Sequence, residues 1–352
     1  MNKKEDWSIE LSEYIKQGEP TRVEKTKTWG TAIGLQEVDG LKPSEYLIET
    51  AKEHIEGNID LPEVEHRINE YYKVLGKRKT EEVENSEEAD KVAVRITEIL
   101  SEKSFNFNPT ELVMIHQRLF SGVYKHAGKI RDYDFIKAEW VLNGDTVTYS
   151  QYETIKPALQ YDFEKEKEFS YKDLPIEESI NHLCRFTSDI WQVHPFCEGN
   201  TRTTAVFIIK YLRTFGFNIN DDVFAEHSWY FRNALVRANY KKIEKNIFED
   251  ISFLEKFFYN LLQNTNFDLK NRYMHVDYNQ SANDTNLKCN DCTLDEQVII
   301  NIIKSNPTIR QEEIANMINK SVRTVKTRMI AMQEKGLIER KNGKRNGEWI
   351  VL

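Results

Sequence analysis

Residues 194–202 read His-Pro-Phe-Cys-Glu-Gly-Asn-Thr-Arg, and this short run carries the residue types that handle a phosphate. Helical periodicity ends near Trp191 and resumes near Thr201, so the run is a loop between two helices. A glycine ahead of a helix N-terminus leaves unpaired N–H groups and the positive end of the helix dipole facing the loop, which makes an anion site. Arg202, just inside that helix, can add a charge-assisted fork to phosphate oxygens, and Glu198 offers a hard oxygen ligand suited to Mg²⁺. His194 ordinarily titrates near neutrality and can take a proton from an attacking hydroxyl. Pro195 and Phe196 are expected to fix the loop. Each residue alone has a plainer reading: a capping histidine, an i,i+4 ion pair of Glu198 with Arg202, an ordinary turn at Gly199-Asn200. Their concurrence in one loop favours phosphate chemistry.

A second concentration of functional side chains lies near the C-terminus. Residues 320–345 hold nine Lys or Arg against two acids, Glu334 and Glu339. Arg323, Thr324, Lys326 and Thr327 fall at the start of a helix, and Lys344-Arg345 in a turn between two strand-like stretches. Such residues read major-groove edges and touch phosphate in double-stranded DNA. A basic face for protein interaction or dimerisation remains the alternative.

Across all 352 residues, 49 basic side chains nearly balance 57 acidic ones, and the net charge of −8 excludes a uniformly nucleic-acid-coating protein. No run is apolar and long enough for a signal peptide or membrane span, so a cytoplasmic setting without membrane contact is expected. The four cysteines are too few for a disulfide scaffold. Cys289 and Cys292 form one CxxC, but with His275 the only further ligand nearby, two linker thiols are a better reading than zinc.

These residues must be positioned by helices. Glycine (14) and proline (8) are sparse, and the period is helical almost throughout, which predicts a mainly α fold. Residues 46–55 form one helix ended by Glu56-Gly57-Asn58, and a second restarts at Leu61-Pro62. Segment 77–90 is so polar that a solvated loop or frayed helix start is expected. Amphipathic helices follow, including 176–192 and a wholly buried one at 203–215 that ends at Gly216. One β-hairpin is expected between Phe135 and Tyr149, turning at Asn143-Gly144-Asp145. The Asn- and Asp-rich stretch 264–291 reads as a linker to a helix-turn-helix with a wing.

The sequence His194 to Arg202 resembles the signature of the Fic family, H-P-F-x-[D/E]-G-N-G-R-x-x-R, at His194, Pro195, Phe196, Glu198, Gly199, Asn200 and Arg202. The resemblance implies a Fic-type helical bundle with a β-hairpin flap, and an adenylyltransferase that moves AMP from ATP to a Ser, Thr or Tyr hydroxyl of a protein. By the same resemblance His194 is the base, Glu198 holds Mg²⁺, and Gly199, Asn200, Thr201 and Arg202 bind phosphates. The flap residues Lys137, Ala138, Glu139 and Trp140 would lie over the nucleotide and clamp the target by strand addition. Asn239 would contact the nucleotide, with helix pairing as the alternative.

Two departures qualify the match. Thr201 replaces a glycine, and Ala205 stands where the second arginine is usual, which removes one phosphate contact. Ile55-Glu56-Gly57-Asn58 is similar to the family's inhibitory helix, although Lys52 replaces its Ser or Thr. Glu56 is then an inhibitory glutamate, a participant in AMP removal, or simply a helix end. The expected organisation is an N-terminal helical region (1–75), a catalytic domain (76–263), a linker (264–291) and a winged helix (292–352). Partners implied are a target protein, the chain itself, DNA and a second copy in a homodimer. A DNA-binding regulator that only senses nucleotide is the alternative from another class.

Overall fold

Helix signals dominate the structure as they do the sequence. The computed structural model describes residues 11, 20–76, 80–217, 222–278, 293–318, 320–341 and 347–351. Helix α1 spans Pro20–Gly34, α2 Glu45–Glu56, α3 Leu61–Leu75 and α4 Glu81–Ser101. Side chains of Ser44, Asp60 and Thr80 accept the N–H three residues on and so cap α2, α3 and α4. Gly57, at φ 82°, ends α2 as the sequence predicts.

Two differences stand out in this region. Helix α1 was not legible, because only Trp29, Ala32 and Ile33 fall at helical spacing and Val23 is the one large apolar residue before them. The polar segment, expected as a solvated loop or a frayed helix start, is helical from Glu81, where Thr80 caps it and Glu81, Glu82 and Glu84 complement the helix dipole. Residues 77–79 lie outside the described residues.

Helices α5 (Pro109–Phe120), α6 (Ile155–Glu168), α7 (Ile176–Val193), α8 (Asn200–Thr214), α9 (Asp222–Ala238) and α10 (Ser252–Gln263) complete the body. Every residue of α8 from Asn200 to Leu212 is buried, and the helix lies against α4, α5 and α7. Burying Val206, Phe207, Ile208, Ile209 and Leu212 stabilises this position by about 1.5–3 kcal/mol per side chain. A charge at Ile208 would therefore dislodge the helix that carries the motif. Gly34 allows α1 to touch α9, since a Cβ there would sit 2.2 Å from the Ala225 carbonyl oxygen.

The chain reverses at Asn143-Gly144 as expected, with Glu139 N–H donating to Asp145 O, but no strand forms between Phe135 and Tyr149. Trp140–Leu142 instead wind into a 3₁₀ turn. Burial of Val141 and Leu142 and an ion pair of Glu139 with Arg232 draw the segment inward, so a ladder is not completed. Residues 264–278, expected in a linker, fold onto the body. Asn260 grips Phe267 through both backbone groups, Asn233 donates to Asn271, and Val276 N–H donates to Val141 O. Cys289, Cys292 and the rest of the expected linker lie outside the described residues.

At the C-terminus α11 (Leu294–Ser305), α12 (Gln311–Met317) and α13 (Val322–Glu334) precede antiparallel strands β1 (Ile338–Lys341) and β2 (Glu348–Val351). This is the expected helix-turn-helix with a wing. It is docked on the body: Asn301 donates to Leu262 O at 2.9 Å, and Arg328 of α13, which pairs within the domain with Asp295 at 2.9 Å, reaches Asp173 of the body at 3.4 Å. Among the described residues no helix is long and apolar enough to cross a membrane.

Candidate active site

The loop between α7 and α8 is built from its backbone outward. His194 ends α7 in the left-handed region, at φ 48° and ψ 60°, a conformation uncommon for a residue with a side chain. Its carbonyl accepts Arg131 Nε at 2.8 Å, and the next carbonyl, Pro195, accepts the Arg131 N–H at 2.9 Å. The Asn200 side chain closes the loop on Phe196, accepting its N–H at 3.0 Å and donating to its carbonyl at 2.8 Å. His116 lies flat on Phe196 at 3.7 Å; its Nε2 contacts the Glu198 carbonyl at 3.1 Å while Nδ1 accepts Gly128 N–H. Burial holds His116 down to about 4, so it is neutral in this role.

These contacts turn carbonyls of the loop into the body and leave its opposite side to N–H groups. Gly199, at φ 75°, makes the last turn; a Cβ there would meet the Phe120 ring at 2.4 Å. Helix α8 begins immediately after it with no side-chain cap. The first-turn N–H groups therefore lack helical partners and face an anion position.

The His194 ring is enclosed by Tyr149 at 4.1 Å, Trp191 at 5.4 Å and Phe135 at 5.6 Å. Burial first, and the cation of Lys137 second, hold its pKa well below the ordinary 6.5. The imidazole is thus neutral at physiological pH, which corrects the expectation of an ordinary titration and suits a base. Its Nδ1 is buried without a hydrogen-bond partner, a state that costs free energy unless something else fills it.

His194, Gly199, Asn200 and Thr201 line one narrow cleft with Lys137, Glu139, Asp39 and Arg232. The Glu198 carboxylate is half exposed at the rim, 3.7 Å from Lys137 Nζ. A single exposed carboxylate suits a Mg²⁺ that arrives on a polyphosphate and keeps several waters; no cluster of three metal-ligating side chains occurs among the described residues. Asp39, Lys137 and Arg232 also line a wider adjoining cavity of about 960 Å³, whose wall includes Trp229, Tyr230 and Lys270.

Several expected site residues are engaged in other contacts or lie away from the cleft. Arg202 is wholly buried: Nε is 2.8 Å from Asp39, NH2 2.6 Å from Glu88 and NH1 3.1 Å from Gln36, with Phe120 beneath the guanidinium. Its fork points into the body rather than the cleft. Thr201 Oγ1 accepts Trp191 Nε1, so its contribution to the cleft is backbone. Glu139 is buried against Arg232 at 2.7 Å, and burial raises its pKa. Ala138 is exposed, and Trp140 meets the edge of His275. Asn239 donates to Ser188 Oγ and Leu235 O, a helix-pairing role outside the cleft. Glu56 pairs with Arg22 at 3.1 Å and does not reach the motif. Ala205 is buried in the core.

Asp39, Tyr149, Arg131 and Arg232 were missed. Arg232 carried a signal, a cation between Phe231 and Asn233 on α9, where Arg237 is the other arginine; Asp39 carried none. On α13, Arg323, Thr324, Lys326 and Thr327 are all exposed. Arg328 and Lys335 are committed to Asp295 and Glu296. Lys344 and Arg345 lie outside the described residues.

Residues 106–212 match the Fic/DOC family, and residues 296–339 match winged helix-turn-helix DNA-binding domains. Protein adenylyltransferase VbhT of Bartonella schoenbuchensis is 30% identical over 119 residues, 34% of this chain and 24% of that protein. The chain thus spans about a quarter of the length of that relative. A crystal structure of a Fic family protein from Desulfovibrio desulfuricans G20 aligns over 99% of this chain and 95% of its own at 10% identity and a TM-score of 0.44, too distant for structural argument.

Proposed function

Since this chain carries a Fic/DOC domain ahead of a winged helix-turn-helix, we propose that it transfers AMP from ATP to a Ser, Thr or Tyr hydroxyl of a protein. One observation carries the reading: a buried, neutral, unpartnered imidazole and an uncapped helix N-terminus share one cleft. The target hydroxyl gives its proton to His194 as its oxygen bonds to the α-phosphorus; the bond to the β-phosphate oxygen breaks, and pyrophosphate leaves. The N–H groups of Asn200, Thr201 and Arg202 face the negative charge on the transferred phosphoryl. Glu198 would hold the Mg²⁺ that accompanies ATP, and the ion would supply positive charge to the leaving phosphates. The adenosine occupies the wider cavity, where Trp229 supplies an aromatic wall.

Arg202 then acts by anchoring α8 rather than by touching phosphate. Its sequestration by Asp39 favours a second reading, a regulator that binds nucleotide and transfers it poorly. On either reading Arg323, Thr324, Lys326 and Thr327 dock the chain on double-stranded DNA. Mass spectrometry after incubation with ATP, Mg²⁺ and host-cell proteins tests the choice: an AMP adduct absent with His194→Ala supports transfer, and nucleotide binding without any adduct supports the sensor.

A further inference from the structure

Arg131 lies outside the motif and outside the cleft lining, yet its buried guanidinium binds the end of α7 and both ends of the 133–150 loop. It reaches the carbonyls of His194 at 2.8 Å and Val193 at 3.4 Å, while its backbone N–H binds Pro195. The same side chain donates to Tyr133 O at 2.8 Å and Asp134 Oδ1 at 3.2 Å, and also to Ser150 O. Asp134 is in turn bound by the Tyr152 N–H at 2.7 Å. One planar fork thus joins the α7 terminus to both ends of the loop that forms the cleft mouth. A guanidinium provides this spread of fixed donors, whereas an ammonium offers a single point.

We infer that Arg131 is the positioning residue for the base: it holds His194 in its left-handed turn and ties that turn to the two ends of the 133–150 loop. The left-handed conformation is strained for a non-glycine residue, so it persists only while surrounding contacts impose it. Without the clamp the 194 peptide relaxes, and the imidazole leaves the enclosure of Tyr149, Trp191 and Phe135 for water. The role in transfer rests on the function proposed above; the conformational role does not.

The test compares full-length wild type with Arg131→Lys by NMR titration of labelled histidines without nucleotide, His194 being assigned by its loss in His194→Gln. Lysine keeps the positive charge near the ring, and Asp39, Lys137, Glu139, Tyr149 and Arg232 are unchanged, so a shift reports hydration rather than lost charge. His54 and His116, both held to about 4 by burial, must stay there, which shows that the fold is intact. The His194 midpoint is expected to rise toward 6.5. The acid limb of the transfer profile should follow it, with kcat down on the order of 10²-fold and KM for ATP little changed. Should the lysine variant not fold, Arg131→Gln is read instead by the backbone chemical shifts of residue 194, because loss of the Arg131 cation alone raises the His194 midpoint; shifts that still report the left-handed turn overturn the proposal. A folded variant whose His194 titrates as in wild type overturns the proposal. Failure of wild type to transfer AMP would remove the functional reading and leave the titration result standing.

Discussion

Replacing Arg202 by alanine separates two roles that the sequence does not distinguish. The guanidinium lies between Asp39 and Glu88 with no exposure of its own. Breaking a buried ion pair by removing one partner costs about 3–5 kcal/mol, because the other charge stays uncompensated. The Asp39 and Glu88 side chains keep 22% and 19% of their accessibility, so water relieves part of this and the lower end, about 3 kcal/mol, applies. Loss of the guanidinium also leaves a void above Phe120. Urea unfolding of Arg202→Ala should therefore show a lower midpoint, and adding Glu88→Gln should restore part of it. Calorimetry at a temperature where the variant is folded should show nucleotide affinity reduced far less than stability. An Arg202→Ala protein as stable as wild type but unable to bind ATP would show that Arg202 is a phosphate ligand after all.

Other predictions follow from the same contacts. Gly199→Ala adds left-handed strain and a clash with Phe120, and should destabilise by about 2–4 kcal/mol. Gly40→Ala, also at positive φ but with nothing within 4 Å, should show only the strain of roughly 1–2 kcal/mol; equal losses in unfolding experiments would refute the close approach. His54 and His116 titrate near 4 and His194 well below 6.5 in the fold, so these three bind more protons in the unfolded chain between those values, while Asp90 and Asp162, raised to about 6 by burial, offset part of that. Stability should then fall as pH drops from 6.5 toward 4, and urea midpoints at pH 5 and 7.5 check the sign. Arg323→Ala and Lys326→Ala should each weaken binding to duplex DNA and flatten its salt dependence, whereas Lys335→Ala, a residue paired with Glu296, should leave the salt slope unchanged.

The loop between α7 and α8 was legible because its cues are local. Helix periodicity stops before His194, Gly199 takes a left-handed turn, and an apolar helix restarts at once. What escaped the sequence depends on partners far along the chain. Arg202 reads as a phosphate fork until Asp39 and Glu88, more than a hundred residues away, are seen to hold it. Glu56 matches an inhibitory pattern by type and spacing, but Arg22 from a helix without sequence signal has claimed it. Asn143-Gly144 announced a reversal, and the turn is there. The ladder is absent because Glu139 and Val141 are drawn to Arg232 and Val276 instead of across a strand pair. Asn260, Asn271 and their neighbours read as linker by composition, although their amides are used as internal hydrogen-bond partners.

The central claim is that His194 activates a hydroxyl for attack on the α-phosphorus of ATP. Parallel incubations with α-labelled and γ-labelled ATP and Mg²⁺, for wild type and His194→Ala, test it most directly. The account predicts α-label on protein with wild type, none from γ-labelled ATP, and loss of the signal in the variant. Protein labelled from the γ-phosphate, or α-label undiminished in His194→Ala, would contradict it.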